Sequence, residues 1–246
     1  MEPQRVLRTI MTFFCFVSLG TSALAEPARL VLNSPHSAPI TAPDGSGVLD
    51  VFYRELFARL GMTVEFQQLP AERAVINANR GIDDGDVTRI SGMETHYPNL
   101  VQVPESVMRY ELVLFSRTAR FKVTGPEDLQ PYDVGIVTGW KIVEWNTTKA
   151  HSVTRVENVT QLFQMLADDR IDLAIIERMT GMMTIKNLEI KDVYILEPPF
   201  LVGNWYLYLH KKHQNLVPRL TAEIRRMKED GSYTKIFESA LQNFFH

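Results

Sequence analysis

Hydrophobic positions along the first half of the chain follow two alternating periods. Val48, Leu49, Phe52, Leu56 and Leu60 recur at helical spacing with charged residues between them, and this predicts a helix that ends at Gly61. Short strands are predicted on either side of it, at 29–33 and 64–66, and a second helix at 71–79. The order strand, helix, strand, helix predicts a parallel sheet.

A second series of alternating elements follows a polar stretch at 116–125. The pattern predicts strands at 133–137, 153–156, 172–176 and 193–196, with helices at 141–150 and 159–167. Pro198-Pro199 interrupts it, and 205–209 is predicted to be a strand that returns to the first series. The chain therefore predicts two α/β lobes joined by two crossings, with residues 26–117 and 200–246 in lobe 1 and residues 118–199 in lobe 2.

The first residues have the pattern of an export signal. Arg5 and Arg8 precede an apolar run at 10–19, and Ala23-Leu24-Ala25 follows it, which predicts a signal peptide at 1–25 that is cleaved after Ala25. A run of about ten residues is half of what a membrane-spanning helix needs. Cys15 lies inside the run without a preceding small residue, so a lipid anchor is not expected. The predicted location is the periplasm.

Charge and side-chain inventory exclude several classes of function. The chain has 26 Lys and Arg against 29 Asp and Glu, without a basic patch for nucleic acid. Its six histidines lack the H-E-x-x-H spacing of zinc hydrolases, and its single cysteine lies in the leader, so thiolate chemistry is excluded from the mature chain. Neither a metal nor a cofactor is predicted.

Three segments carry a resemblance to a known family. They are L-P-A-E-R-A-V-I-N-A-N-R-G-I-D-D-G-D-V-T-R-I-S-G at 69–92, Y-P-N-L-V-Q-V-P-E-S-V at 97–107 and E-L-V-L-F-S at 111–116. In this order, and with K-E-D-G-S-Y at 228–233, they resemble bacterial extracellular solute-binding proteins of family 3, the polar amino-acid receptors of ABC importers. The resemblance implies a two-lobed clamp of the type 2 periplasmic-binding fold, with a hinge of two strands.

In lobe 2, strand ends nominate four ligand-binding residues, because ligands of open α/β sheets bind beyond the carboxyl ends of strands. Thr138 and Gly139 follow the strand at 133–137 and precede a helix, where backbone N–H groups suit an anion. Trp140 is the aromatic residue best placed to cover a ligand, ahead of Tyr110 and Trp205. Glu177 stands where the family usually carries an acidic residue for the ligand's ammonium group. Thr138 as a helix cap and Glu177 as a first-turn charge are the structural alternatives.

In lobe 1, Arg73 and Arg89 are the candidate ligand-binding cations, since a guanidinium holds a carboxylate with two parallel hydrogen bonds. The alternative for both is a structural salt bridge with Glu72, Asp84 or Asp86. One departure matters: family members usually carry T-x-x-R after this segment, and here the stretch reads M-E-T-H-Y-P at 93–98. Either Arg73 or Arg89 replaces the missing arginine, or the ligand is not a standard α-amino acid.

The resulting prediction is a periplasmic solute-binding protein. It would act as a monomer, capture a small polar, amino-acid-like or carboxylated ligand between the lobes and deliver it to an ABC importer permease of the inner membrane. One alternative is a sensor module for a membrane receptor. Another is an enzyme similar to the periplasmic dehydratases of the same fold, for which Glu72 or Glu177 would have to serve as a general acid.

Overall fold

The computed structural model describes residues 29–245, so the predicted signal peptide and Cys15 lie outside the described residues. Within this range, none of the helices combines the length and apolar character needed to span a bilayer. The strands are β1 (Arg29–Ser34), β2 (Thr63–Gln68), β3 (Gly85–Arg89), β4 (Leu100–Ser116), β5 (Asp133–Val137), β6 (Ser152–Val156), β7 (Leu173–Glu177) and β8 (Tyr194–His210). The helices are α1 (Val48–Arg59), α2 (Ala71–Arg80), α3 (Lys141–Asn146), α4 (Val159–Ala167), α5 (Arg178–Asn187), α6 (Val217–Glu229) and α7 (Ser232–Phe245).

All eight strands form one sheet in the order β2-β1-β3-β8-β4-β7-β5-β6. β1 pairs in parallel with β2 and β3, and β5 pairs in parallel with β6 and β7. The half with β1 to β3 is called lobe 1 below, and the half with β5 to β7 is lobe 2. Between them β4 and β8 pair antiparallel. The predicted α/β class, two lobes and two-strand hinge are confirmed.

The hinge strand β8 is longer than the sequence predicted. β8 continues from Tyr194 to His210 through Pro198-Pro199, where a break was predicted. The ladder with β4 shifts register there, because Leu112 pairs with Leu201 whereas Leu114 pairs with Leu196. Prolines in such an irregularity cost no ladder hydrogen bond. Because both strands run through both lobes, the lobe boundaries at 117–118 and 199–200 stay predictions.

Helix α3 is shorter than predicted. It ends at Asn146 rather than at Ala150, and the Asn146 side-chain amide donates to the Ile142 carbonyl at 2.7 Å. The Thr147 hydroxyl donates to the Glu144 carbonyl at 3.3 Å. Side chains that satisfy the last carbonyls of a helix compete with its continuation, so the apolar spacing at 141–150 predicted too long a helix.

The C-terminal segment is attached to lobe 1 through aromatic packing and to the hinge through the turn at 228–233. Phe52 of α1 contacts the rings of Tyr233 and Phe237 in α7, with ring centroids 5.7 and 6.0 Å away. Lys228 Nζ donates to Glu105 Oε1 and to the Ser106 carbonyl of β4, both at 2.7 Å. The Tyr233 hydroxyl donates to the Val107 carbonyl at 3.0 Å. The tail thus fixes the first part of a hinge strand.

Replacing Lys228 tests this attachment. Lys228→Met should lower the free energy of unfolding by about 1 kcal/mol, because a partly buried ion pair and a charged hydrogen bond are lost. The hydrogen bond from Lys228 lowers the pKa of Glu105. Its contribution to stability is therefore present at neutral pH and should fade as the pH falls below about 4.

The measurement is urea unfolding at pH 7 and at acid pH. Lys235→Met, on the exposed side of α7, is the matched control and should change stability little. An equal effect of both substitutions would contradict the role of Lys228.

Candidate functional site

Two cavities that share Trp140 lie where the lobes meet. The interlobe cavity, of about 460 Å³, is lined from lobe 1 by residues 35–38 and 68–71 and from lobe 2 by residues 137, 140, 157–160, 183–184 and 187–188. Behind Trp140 is the inner pocket, of about 40 Å³, which includes His36, Arg89, Trp140 and Trp205. Most of these residues lie just beyond the carboxyl ends of strands, where ligands of open α/β sheets bind, whereas residues 183–184 and 187–188 lie in the second half of α5 and directly after it.

An aromatic cluster separates the two cavities. His36 follows the end of β1, and its ring lies 5.1 Å from Trp140 of lobe 2 and 4.6 Å from Trp205 of β8, between ring centroids. Tyr110 of β4 stacks on Trp205 at 5.2 Å. The cluster therefore joins both lobes to both hinge strands, and gives the cleft a wall of aromatic rings.

His36 is an uncharged polar group within this wall. Burial, aided by the charge of Arg89, lowers the pKa of its ring to about 3, so the imidazole is neutral at physiological pH. Its Nε2 is hydrogen bonded to the Thr88 hydroxyl. Its Nδ1 is buried and has no hydrogen-bond partner among the described residues. Buried nitrogens are normally satisfied, so this atom is a candidate ligand contact.

Arg89 lies in the inner pocket, and its side chain is engaged by the protein. It is 6 % exposed. Its Nε and Nη2 donate to Asp86 Oδ2 at 2.8 and 2.6 Å, Nη2 also donates to the Ala71 carbonyl at 2.9 Å, and Nη1 donates to the Gly139 carbonyl at 3.4 Å. Arg89 therefore forms the predicted alternative salt bridge and also connects the lobes.

In the turn that precedes α3, the backbone N–H groups are likewise hydrogen bonded within the protein. The N–H groups of Thr138 and Trp140 donate to the carbonyls of Val156 and Val137, at 2.9 and 3.4 Å. The N–H of Gly139 donates to Glu144 Oε1 at 2.7 Å. A carboxylate of the chain thus occupies the position that the sequence predicted for a ligand anion.

The same turn packs directly against α2 of lobe 1. A Cβ on Gly139 would lie 2.2 Å from the Glu72 nitrogen, and the glycine has a φ of +88°. Beside it, Lys141 Nζ lies 2.5 Å from Glu72 Oε2 of lobe 1 and 3.1 Å from Glu144 Oε2. The lobes are therefore held together by a backbone contact and an ion pair of the chain's own residues.

The remaining predicted site residues lie outside the inner pocket. Glu177 is buried and caps α5, because its carboxylate accepts from the N–H groups of Met179 and Thr180 at 3.0 and 2.8 Å. Burial raises the pKa of this carboxyl. Arg73 is exposed on α2, and with Thr138 it lines a separate open cavity at the outer side of the lobe junction.

The structure therefore brings Arg89, Gly139 and Trp140 together, places Arg73 and Thr138 nearby and sets Glu177 apart in a capping role. Which of them contact a ligand stays a prediction. His36, Lys141 and Glu144 were missed as site residues. His36 lies two residues beyond the end of β1, and the rule that selected Thr138 could have selected it as well.

Comparisons with known proteins support the fold. No family model matches the chain, so membership of family 3 stays a prediction. An uncharacterized protein of Shewanella oneidensis is 24 % identical over 94 % of this chain and 92 % of its own length. An ancestral arginine-binding protein bound to arginine superposes with a TM-score of 0.75 at 18 % identity, over 90 % of this chain and 100 % of the other.

Two further solved structures are similar to this chain. An amino-acid ABC transporter substrate-binding protein of Streptococcus pneumoniae bound to L-arginine gives a TM-score of 0.72 at 17 % identity, over 89 % of this chain and 97 % of its own. A histidine kinase sensor domain similar to periplasmic binding proteins gives 0.77 at 17 % identity, over 88 % and 97 %. At these identities the likeness shows the fold alone, which is that of periplasmic binding proteins.

The contact at Gly139 can be tested with a matched pair of glycines. Gly139 and Gly92 have φ values of +88° and +87°, but a Cβ on Gly92 would meet nothing within 4 Å. Both Gly→Ala substitutions should cost about 1 to 2 kcal/mol for the left-handed backbone. Gly139→Ala should in addition separate the lobes and increase the radius of gyration in small-angle X-ray scattering. Equal radii for the two variants would contradict the contact.

Proposed function

We propose that the protein is a binding protein that captures a small polar solute between its lobes. The observation that carries this proposal is the interlobe cavity, which both lobes line and which the aromatic cluster bounds. A solute that touches both lobes binds the closed form better than an open form and so shifts the population towards closure. The solved structures with the same fold, whose ligands include arginine, support a binding role.

Trp140 is proposed as the main ligand contact, because it lines both cavities. An amino-acid-like or carboxylated solute could also engage Arg89, Gly139, Thr138 or Arg73, and Glu177 could meet an ammonium group. Except at Arg73, which is exposed, each of these contacts would compete with the protein partners described above. The free energy of the buried hydrogen bonds that a ligand would break decides which ligand groups the site can bind.

Both candidate general acids, Glu72 and Glu177, are engaged in contacts within the protein, and this favours binding over catalysis. Glu72 is paired with Lys141, and Glu177 accepts two backbone hydrogen bonds as a helix cap. A general acid must instead direct a proton at the substrate. No group of three or more His, Cys, Asp or Glu within residues 29–245 is placed to hold a metal ion.

The proposed location is the periplasm, and the proposed partner is an ABC importer permease that receives the closed form. Substrate-binding proteins of such importers are among the solved structures with this fold. The second candidate is a sensor that reports the bound solute to a membrane receptor. A histidine kinase sensor domain is among the solved structures with the same fold, and it supports this candidate.

A thermal-shift screen tests the binding proposal. The panel contains amino acids, opines, polyamines, dicarboxylates, small sugars and nucleosides, after denaturation and refolding to remove any bound solute. A ligand at about a hundred times its Kd should raise Tm by roughly 5 to 10 °C. A flat response across the panel contradicts the proposed function.

Once a ligand is known, its uptake by cells with and without the gene distinguishes the two roles. Lost uptake indicates an importer, and unchanged uptake indicates a sensor.

Trp140 can be tested against a second tryptophan of the same segment. Trp140→Ala should weaken binding of the hit by roughly 30-fold or more, as is typical of a buried aromatic contact. Trp145 is 43 % exposed and lines neither cavity, so Trp145→Ala is the control. Calorimetric titration gives both affinities. Trp140→Phe, which keeps an aromatic ring at this position, is the second variant in case Trp140→Ala does not fold. Equal affinities of the wild type and both Trp140 variants would remove Trp140 from the site.

A further inference from the structure

The lining of the interlobe cavity is almost free of charge. Its polar side chains are amides and hydroxyls, contributed from both lobes: Gln68, Asn158, Thr160, Thr184 and Asn187. Among the described residues that line it, Glu157 alone carries a charge, and His36 is neutral. The rest of the wall is apolar, with Leu69, Val137 and Trp140 as examples. Such a lining offers hydrogen bonds and apolar contact, no cation for an anionic ligand, and only the exposed carboxylate of Glu157 for a cationic one.

The charged groups of the inner pocket and of the adjoining contact between the lobes are already paired within the chain. Asp86 neutralises Arg89, and Lys141 lies between Glu72 and Glu144. Glu144 also fills the anion position at the N–H of Gly139. A carboxylate ligand would have to displace the buried Asp86 from Arg89, or the partly buried Glu144 from Gly139 and Lys141, and it would leave the displaced carboxylate without its partner. Uncompensated buried charge is among the most unfavourable arrangements in a protein.

One buried polar atom of the wall lacks a partner. His36 Nδ1 has none among the described residues, and the ring belongs to a cluster that lines both cavities. A neutral imidazole nitrogen is matched by a hydroxyl or an amide, each of which can both donate and accept. The ring of Trp140, which lines the interlobe cavity and meets Trp205 edge to face, suits a flat apolar surface.

We infer that the interlobe cavity takes an uncharged small molecule with a flat apolar face and hydroxyl or amide groups, rather than an amino acid or another ion. The inference rests on the proposed binding function and specifies its ligand class. It also sets this chain apart from the solved structures that share its fold and are bound to arginine or glutamate.

Matched pairs of compounds test the ligand class, because each pair shares one ring system and differs in charge. The pairs are nicotinamide and nicotinate, indole-3-acetamide and indole-3-acetate, and adenosine and adenosine monophosphate. They are added to the panel of the thermal-shift screen, followed by calorimetric titration at low and high salt. We expect stabilising compounds to be uncharged, with Tm raised by roughly 5 to 10 °C near saturation. We also expect their Kd to change less than twofold between 50 and 500 mM NaCl, since ionic pairing is absent.

Binding of the charged member of a pair, or of amino acids or dicarboxylates, with a salt-dependent Kd would overturn the ligand class while the binding function stands. A response to no compound at all would overturn the binding function and the inference with it. The two failures are therefore distinguishable.

A pair of asparagine variants locates the bound compound. Asn187→Ala removes an amide from the lobe 2 side of the cavity and should weaken an uncharged hit about tenfold, the loss expected for one hydrogen bond. Asn215→Ala, in the 3-10 helix Lys211–Leu216 of lobe 1, lies outside the cavity and should leave the Kd unchanged. Equal Kd values for the two variants, together with an unaltered Kd in Trp140→Phe, would place the ligand elsewhere and overturn the assignment to this cavity.

Discussion

A buried guanidinium organises the centre of this molecule. Arg89 is almost inaccessible to solvent, and a charge in that position is tolerated only when it is paired and fully hydrogen bonded. Asp86 supplies the charge, the Ala71 carbonyl fixes the start of α2, and the Gly139 carbonyl draws the turn of lobe 2 towards lobe 1. Satisfying one charge therefore positions a strand, a helix and the opposite lobe.

That arrangement depends on an irregular strand. Side chains three residues apart in a regular strand point to opposite faces of the sheet, so Asp86 and Arg89 should not meet. The β3–β8 ladder shifts register between these two residues. A shift of this kind re-aims side chains, and irregularities of this type are common near functional sites. The salt bridge therefore depends on an irregularity of the backbone. In a regular strand, the spacing of the two residues would have predicted that they do not meet.

The sequence predicted the fold better than the site, and the reason is physical. Apolar residues at helical spacing in α1, and alternation of strands and helices on both sides of the hinge, reflect burial that every member of the fold needs. Even the error at Pro198-Pro199 concerned one local irregularity in a strand whose existence was correctly predicted. Ligand contacts depend instead on whether a polar group of the protein already forms a hydrogen bond with the candidate site residue. Nothing in the order of residues 138–144 indicated that Glu144 would turn back to the N–H of Gly139.

The interlobe contacts also bear on how the clamp works. Glu72–Lys141, Arg89–Gly139 and the packing of Gly139 on α2 hold the lobes together through groups of the chain itself. A ligand shifts a conformational equilibrium only by its difference in affinity for the two states. When the protein already supplies the ionic contacts that favour closure, the ligand needs to add only apolar contact and a few neutral hydrogen bonds. A fold that holds charged amino acids in other proteins can in this way close on a solute without charge, because fold similarity fixes the position of a site and not its chemistry.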